Sequence, residues 1–373
     1  GNDFGRFYLD PQRVHPSPAL LEGILRVQEE LRNVKPNVVL LCGAEPLRAL
    51  TGYRDITARR GYLMRGEDGH KVLPTFHPSA VLRSADERSY FPLLCFDVAK
   101  AKRESASPAL SVPKRTLLLR PSVETVIHHL QRMEANAEPV VFDIETEYGG
   151  TRWDCIAFSD DPGWAICIPT STNWSTDGQY VTEVLPHIQR LLENPTVPKI
   201  AQNAQFDVLF LRVYHGIRTR SVCFDTMTAH HTVYPELPKS LELLASLYTD
   251  QPYYKDMEKL PPSLWEYNAL DAAVTYECYQ ALEQELVELG VKEFYREYVL
   301  NLIEPLLDMQ ERGVCVNLEQ RATVAIALQE ELDDAQAELN VAAYGWSGSQ
   351  PTPTNVAAGH HIGLNPDSPT QLG

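Results

Sequence analysis

The run Val140-Val141-Phe142-Asp143-Ile144-Glu145-Thr146 places two carboxylates inside an otherwise apolar stretch. Apolar residues on both sides of the acids point to a buried strand. Successive strand side chains point to opposite faces, so Asp143 and Glu145 share one face, where like charges repel unless a cation offsets them. Further along, Asn203 and Asp207 fall four apart at the start of an apolar helix, and Tyr267 and Asp271 repeat that offset. Each pair shares one helix face. With 50 Asp and Glu among 373 residues, either pattern alone is ordinary. Together, four acids and a tyrosine so spaced can converge on two metal ions. Hard oxygen ligands without histidine or cysteine suit Mg²⁺ or Mn²⁺ rather than zinc, and the natural substrate of such a site is a phosphodiester cleaved in line.

Composition narrows the setting. With 44% hydrophobic residues the chain can build ordinary cores, and its length suits two or three domains. No apolar run approaches ~20 residues and no signal peptide is visible, so the expectation is a cytoplasmic protein without a membrane partner. The seven cysteines contain no C-x-x-C pair, which argues against a zinc ribbon or a disulfide scaffold. Both ends, Gly1 and Gln371-Leu372-Gly373, look cut, as in a fragment. Net charge is −17 but uneven: residues 1–105 carry 16 Lys+Arg against 13 Asp+Glu, and the remainder 17 against 37. That acidity does not veto DNA, because divalent ions offset the acids at the site itself; it implies weak non-specific binding and reliance on a partner domain.

The small-residue, proline-flanked segment Ser105–Pro113 marks a domain boundary. Before it, Asn37–Cys42 and Lys71–Phe76 read as strands, with Glu45–Leu50 and Glu87–Arg103 as helices. After it, Thr116–Arg120 reads as a strand, Val123–Glu134 as a helix and Pro139–Thr146 as the acid-bearing strand, while Cys155–Phe158 and Trp164–Ile168 flank Asp160-Asp161-Pro162-Gly163 as a hairpin. Helices then follow over Val181–Glu193, Ala204–Tyr214, Asp225–Val233, Ser240–Leu247 and from Ser263, ending with long amphipathic helices over Glu293–Arg312 and Leu318–Ala343.

The order of Asp-x-Glu on a strand, Asn-x-x-x-Asp with Phe206, and Tyr-x-x-x-Asp resembles the 3′→5′ exonuclease family found as the proofreading domain of polymerase I-like enzymes. Cys223-Phe224-Asp225-Thr226-Met227 and Trp265–Asp271 match its local context, and no metal-site acid is missing. The resemblance implies an α/β, ribonuclease H-like mixed-sheet exonuclease domain over residues 113–290. Residues 291–373 look like the thumb helices that begin a family A DNA polymerase region. It also implies roles: Asp143, Glu145 and Asp271 hold one ion, Asp143 and Asp207 support a second, and Tyr267 orients the attacking water. Thr146, Asn203 and Phe206 would contact the terminal nucleotides of a single-stranded DNA 3′ end, with a downstream polymerase domain of the same polypeptide as partner. A stand-alone RNA-trimming exonuclease and a non-catalytic DNA-holding module are the alternatives; the thumb-like helices disfavour the first and the intact acid set the second.

The N-terminal run Lys35–Ala44 followed by Pro74-Thr75-Phe76-His77-Pro78-Ser79 is similar to the later part of the uracil-DNA glycosylase superfamily, which implies a partial α/β glycosylase-like domain over residues 1–105. His77 and Ser79 match its second motif, which supports base flipping; the first motif would lie upstream of Gly1. Ser79 is also a plausible helix N-cap. Cysteines are absent near Tyr8–Arg26, so no iron-sulfur cluster is expected. His128-His129, His230-His231 and His360-His361 lack partners at metal-ligand spacing and read as structural or surface residues.

Overall fold

A computed structural model describes residues 4–10, 15–83, 87–147, 149–170 and 178–347. The chain divides into two compact units, Gly1–Glu311 and Arg312–Gly373. The first begins with helix α1 (Pro18–Val34), strand β1 (Val39–Cys42), helices α2 (Ala44–Thr51) and α3 (Ile56–Arg59), strands β2 (Met64–Arg65) and β3 (Lys71–Thr75), and helices α4 (Pro78–Arg83) and α5 (Glu87–Glu104). Its small sheet has the order β1-β3-β2, with β1 parallel and β2 antiparallel to β3.

A larger sheet follows. Strand β4 (Thr116–Leu119), helix α6 (Val123–Asn136) and strands β5 (Val140–Thr146), β6 (Trp153–Asp161) and β7 (Trp164–Pro169) lead into helix α7 (Gly178–Glu193), strand β8 (Lys199–Ala201), helix α8 (Ala204–His215) and strand β9 (Val222–Asp225). The strand order is β4-β7-β6-β5-β8-β9; β5 runs antiparallel to β6 and parallel to β8, which gives the mixed sheet that the resemblance implies. Helices α9 (Thr226–Val233), α10 (Leu241–Tyr248), α11 (Ser263–Glu288), α12 (Lys292–Phe294) and α13 (Ile303–Arg312) complete this unit, with α13 ending one residue beyond it. In the second unit, α14 (Leu318–Ser347) is a helix of 30 residues exposed over most of its length. Among the described residues no helix is long and apolar enough to cross a membrane.

Strand alternation sorts β5 between two cores. Val140, Phe142 and Ile144 join Val126, Leu130, Val184 and Leu211 on one face of the sheet, while Val141 joins Ala269, Ala272 and Ala273 of α11 on the other. Asp143 and Glu145 share the parity of Val141 and therefore belong to the α11 side. Cys155, Ala157, Ala165 and Cys167 line the same side. Small side chains on both surfaces let α11 lie close to the strands, which brings its polar positions within reach of the strand carboxylates.

Two expectations need correction. The helix expected over Glu293–Arg312 is interrupted by a wide turn at Tyr295–Val299 and a tight one at Leu300–Leu302. Tyr295 is fully buried, and its hydroxyl accepts from the N–H of Asp225 at 2.8 Å, so the turn keeps this ring on β9 at the expense of regular helix. Ser79 is not the N-cap of α4, which begins at Pro78; the Ser79 N–H instead donates to Nδ1 of His77. Strands β8 and β9 escaped sequence reading because three or four residues carry no measurable period. His230 is structural as expected: it is buried, its Nδ1 lies 3.2 Å from the Tyr248 hydroxyl, and burial pushes its pKa down to about 4. His360 and His361 lie outside the described residues.

The small-sheet region is joined to α10 through buried charge. The Arg60 guanidinium pairs with Asp97 and donates to the Ser246 hydroxyl at 2.9 Å. Lys100 donates to the carbonyls of Gly61, Ser246 and Thr249, closing the C-terminal end of α10. Burial pushes the Lys100 ammonium down to about 8. Removing one member of a buried pair leaves the other charge uncompensated, so Asp97→Ala should cost about 3–5 kcal/mol, read as a fall in the urea midpoint. Glu147→Ala, which breaks the exposed pair with Arg152, should leave that midpoint unchanged.

Candidate active site

Each acid is placed by a different local cause. Asp143 and Glu145 face α11 by strand parity, and a shift in register with β6 between Glu145 and Thr146 turns the strand end at the site rim. Asp207 lies in the first turn of α8. The backbone before it turns through Asn203 in the left-handed region, with φ of 63°, which Asn tolerates better than most residues. Asp225 holds that turn: its carboxylate accepts from the N–H groups of Asn203 (3.0 Å), Ala204 (3.2 Å) and Met227 (2.9 Å), capping α8 and α9 together. Tyr267 and Asp271 sit one turn apart in α11, both buried.

Carboxylate oxygens of Asp143, Glu145 and Asp271 lie within 4.8 Å of one another. Asp207 stands next to this cluster rather than in it, with Oδ1 accepting from the N–H of Ile144 at 3.0 Å, between the two strand acids. Asn268, one residue after Tyr267, donates to Asp143 Oδ2 at 2.7 Å and to the Asp143 carbonyl at 3.2 Å. Lys255 donates to both Asp271 oxygens, at 2.6 and 2.7 Å, and to the Tyr267 hydroxyl at 2.8 Å. Lys259 lies 3.6 Å from Glu145 and over the Tyr267 ring.

The electrostatics follow from crowding acids at the edge of a core. Burial and then the charges of Asp271, Asp207 and Glu145 hold the Asp143 carboxyl well above the usual carboxylate range. Burial raises Glu145 as well, against the opposing pull of Lys259. Asp207 is pushed up to about 8 by burial, although hydrogen bonds from the backbone N–H groups of Ile144 and Asp207 pull the other way. A helix N-terminus favours a carboxylate by only about 0.3–1 kcal/mol, so desolvation wins. Burial followed by Asp271 and Glu145 raises the Tyr267 hydroxyl, which therefore stays protonated at neutral pH. Three oxygen donors in this space, with no nitrogen or sulfur ligand among them, fit a hard divalent cation.

The residues assigned by sequence to substrate contact neighbour these acids along the chain. Thr146 ends β5 beside Glu145, Asn203 precedes α8, and Phe206 projects half-exposed with its ring stacked at 6.1 Å on Phe210. His77 lies exposed at the end of β3, and Ser79 follows in α4. Asn268, Lys255 and Tyr254 were missed by sequence reasoning. Asn268 carried a signal, since an amide beside Tyr267 in an apolar helix must find a polar partner; Lys255 and Tyr254 sit in an irregular segment with no period to read.

Residues 122–287 match the family model of the 3′-5′ exonuclease of DNA polymerase A. This stretch is a 3′-5′ exonuclease domain. The chain is similar to the DNA polymerase of Bacillus phage SP01, 24% identical over 378 residues, covering 89% of this chain and 40% of that protein. It is also similar to DNA polymerase I of Chloroflexus aurantiacus, 27% identical over 271 residues, covering 66% of this chain and 27% of that one. Among solved structures, the POL domain of Pol1 from M. smegmatis in complex with DNA primer-template and dNTP overlaps with a TM-score of 0.46 and 21% identity, over 65% of this chain and 40% of that one. The chain thus spans less than half the length of the polymerases it matches. The matched residues include all four acids and the tyrosine expected to act together, whereas His77 and Ser79 fall outside them.

The exonuclease acids make stability depend on pH and metal. The folded-state pKa of Asp207, about 8, exceeds the ordinary value of about 4, so its contribution is fully present below about pH 4 and is lost as pH rises through about 8. Metal-free protein should therefore melt at a higher temperature at pH 5.5 than at pH 8. Mn²⁺ should raise the midpoint most at pH 8. Asp207→Asn, which keeps an acceptor for Ile144 but no charge, should raise the metal-free midpoint at pH 8 by ~2–4 °C per kcal/mol recovered and flatten the slope. Thermal melts in EDTA at both pH values check this.

Proposed function

We propose that the chain removes nucleotides one at a time from the 3′ end of single-stranded DNA, as the proofreading part of a family A DNA polymerase. The observation that carries this reading is the meeting of Asp143, Glu145 and Asp271 within 4.8 Å, with Asp207 bonded to the strand between the first two. Asp143, Glu145, Asp207 and Asp271 would hold two Mg²⁺ or Mn²⁺ ions, which when bound supply an ionised water at neutral pH and charge stabilisation for the leaving 3′ oxygen.

The remaining work falls to the chain's own groups. Tyr267, protonated and buried, positions water through a hydrogen bond and does not act as a base. Asn268 fixes the Asp143 carboxylate in one orientation. Phe206 offers a half-exposed face on which a terminal base can stack, and Thr146 and Asn203 would contact the sugar-phosphate chain through their hydroxyl and amide groups. Stacking and backbone contacts of this kind grip any sequence, as a proofreading site must. In this layout residues 113–290 carry the chemistry, residues 291–373 begin the polymerase region, and residues 1–105 form the glycosylase-like domain.

Asp143→Ala combined with Glu145→Ala should abolish trimming of a 5′-labelled oligodeoxynucleotide in Mg²⁺ or Mn²⁺ while the domain stays folded, since the change also removes repulsion. Residual trimming by the folded double variant would move the site elsewhere. Tyr267→Phe removes one hydroxyl and should slow turnover by about 10- to 100-fold with Mn²⁺ affinity intact. Calorimetric titration of Mn²⁺ into the variant checks the second half of that expectation.

A further inference from the structure

Helices α10 and α11 are joined by an irregular segment, residues 249–262, that carries Tyr254, Lys255 and Lys259 to the acids. Lys255 is nearly buried, 11% exposed at its side chain, and makes three bonds: two to Asp271 and one to Tyr267. An ammonium has donors only, so Tyr267 accepts from Lys255 and its own hydrogen is turned away from that group. Tyr254, also buried, donates to Asp271 Oδ1 at 2.6 Å. The orientation of Asp271 and Tyr267 is thus set by two consecutive residues of a segment with no regular structure of its own. A lysine side chain has about 2 kcal/mol of rotamer entropy to lose, and such segments open easily. Something must hold this one in place.

The residues on either side of Tyr254 and Lys255 show what does. The Arg59 guanidinium, at the end of α3, lies 4.1 Å from the centre of the Tyr253 ring and 4.0 Å from that of Tyr53, in contact with both. Its Nη2 also pairs with Asp256 at 2.6 Å. The Tyr253 ring meets the edge of Tyr62 at 5.3 Å, and the Tyr62 hydroxyl donates to the Glu242 carbonyl of α10. Tyr53, Arg59 and Tyr62 all belong to the small-sheet region. That region grips residues 253 and 256, and the two residues between them are the ones that bond Asp271.

We infer that Lys255 and Arg59 are positioning residues of the exonuclease: Lys255 orients Asp271 and Tyr267, and Arg59, from outside the exonuclease domain, holds the segment that delivers Lys255. The N-terminal region is then a working part of nuclease turnover, whatever else it does. The inference rests on the reading of Tyr267 and Asp271 as nuclease residues. Arg59 suits the task because its planar cation stacks on two rings and still pairs with a carboxylate, which a lysine cannot do together.

The test is a double-mutant cycle on the full chain, using wild type, Arg59→Ala, Lys255→Met and the double variant. It reads kcat and KM on a single-stranded oligodeoxynucleotide in Mn²⁺, and the melting midpoint in EDTA at pH 8. Lys255→Met should lower kcat by about 10- to 100-fold with little change in KM. Arg59→Ala should lower kcat by about 2- to 30-fold alone but not further in the Lys255→Met background, because its effect passes through Lys255. In EDTA, Lys255→Met should lower the midpoint by leaving Asp271 without its cation, and Arg59→Ala should lower it less once Lys255 is gone. Arg59→Lys, which keeps charge without the stack, should fall between wild type and Arg59→Ala. Should Arg59→Ala not fold, Asp256→Ala breaks the same anchor at an exposed residue and should show a smaller loss with the same dependence on Lys255. Equal losses from the anchor variants in both backgrounds, or wild-type kcat in Lys255→Met, would overturn the inference while leaving the nuclease reading intact. A wild-type chain that trims nothing would sink both.

Discussion

Repulsion among Asp143, Glu145 and Asp271 is the constraint around which the exonuclease domain is arranged. Carboxylates within 4.8 Å of one another at the edge of a core cost free energy unless cations or donors face them. Donors are supplied from every side: Asn268 to Asp143, Lys255 and Tyr254 to Asp271, Lys259 beside Glu145, and the Ile144 N–H to Asp207. These partners compensate the acids incompletely, since Asp143, Glu145 and Asp207 still have raised pKa values. A site left undercompensated in this way favours binding a divalent cation, because the cation is the partner that relieves several acids together.

Holding such a cluster requires a stiff frame. Apolar packing on the far face of the sheet, from Val126 and Leu130 to Val184 and Leu211, fixes β5 from behind. Small residues on the near face bring α11 close enough for Tyr267, Asn268 and Asp271 to meet strand groups. Asp225 then binds three backbone N–H groups at once, locking the start of α8 relative to α9, and Tyr295 locks Asp225 in turn. The small sheet extends the frame through the buried Arg60–Asp97 pair and the Lys100 bonds to α10.

How much of this could be read in the chain differs by residue. Asp143 and Glu145 were legible because strand parity is a local rule, and Tyr267 and Asp271 because helical spacing is another. The hairpin of β6 and β7 was legible from its turn residues. Tyr295 was not: its burial against Asp225 competes with helix periodicity over Glu293–Arg312, and the pattern of apolar residues cannot register that competition. Strands β8 and β9 were hidden by brevity, and Ser79 was misread because a serine ahead of a helical pattern looks the same whether it stands at the cap or just inside it.

By itself, the sequence determined which residues share a face, which is why the acid set and its hard-cation chemistry could be read from it, while the mixed-sheet class came from the family resemblance. Which faces meet was decided by the tertiary structure. Lys255 reaches Asp271 across 16 residues of chain, and Arg59 reaches Asp256 across 197, through segments with no repeating pattern. Local spacing encodes the direction of a side chain relative to its own backbone. Contacts between irregular segments arise only when separate elements pack, and the anchoring of residues 253 and 256 by Arg59 and Tyr62 is what sets Lys255 among the acids.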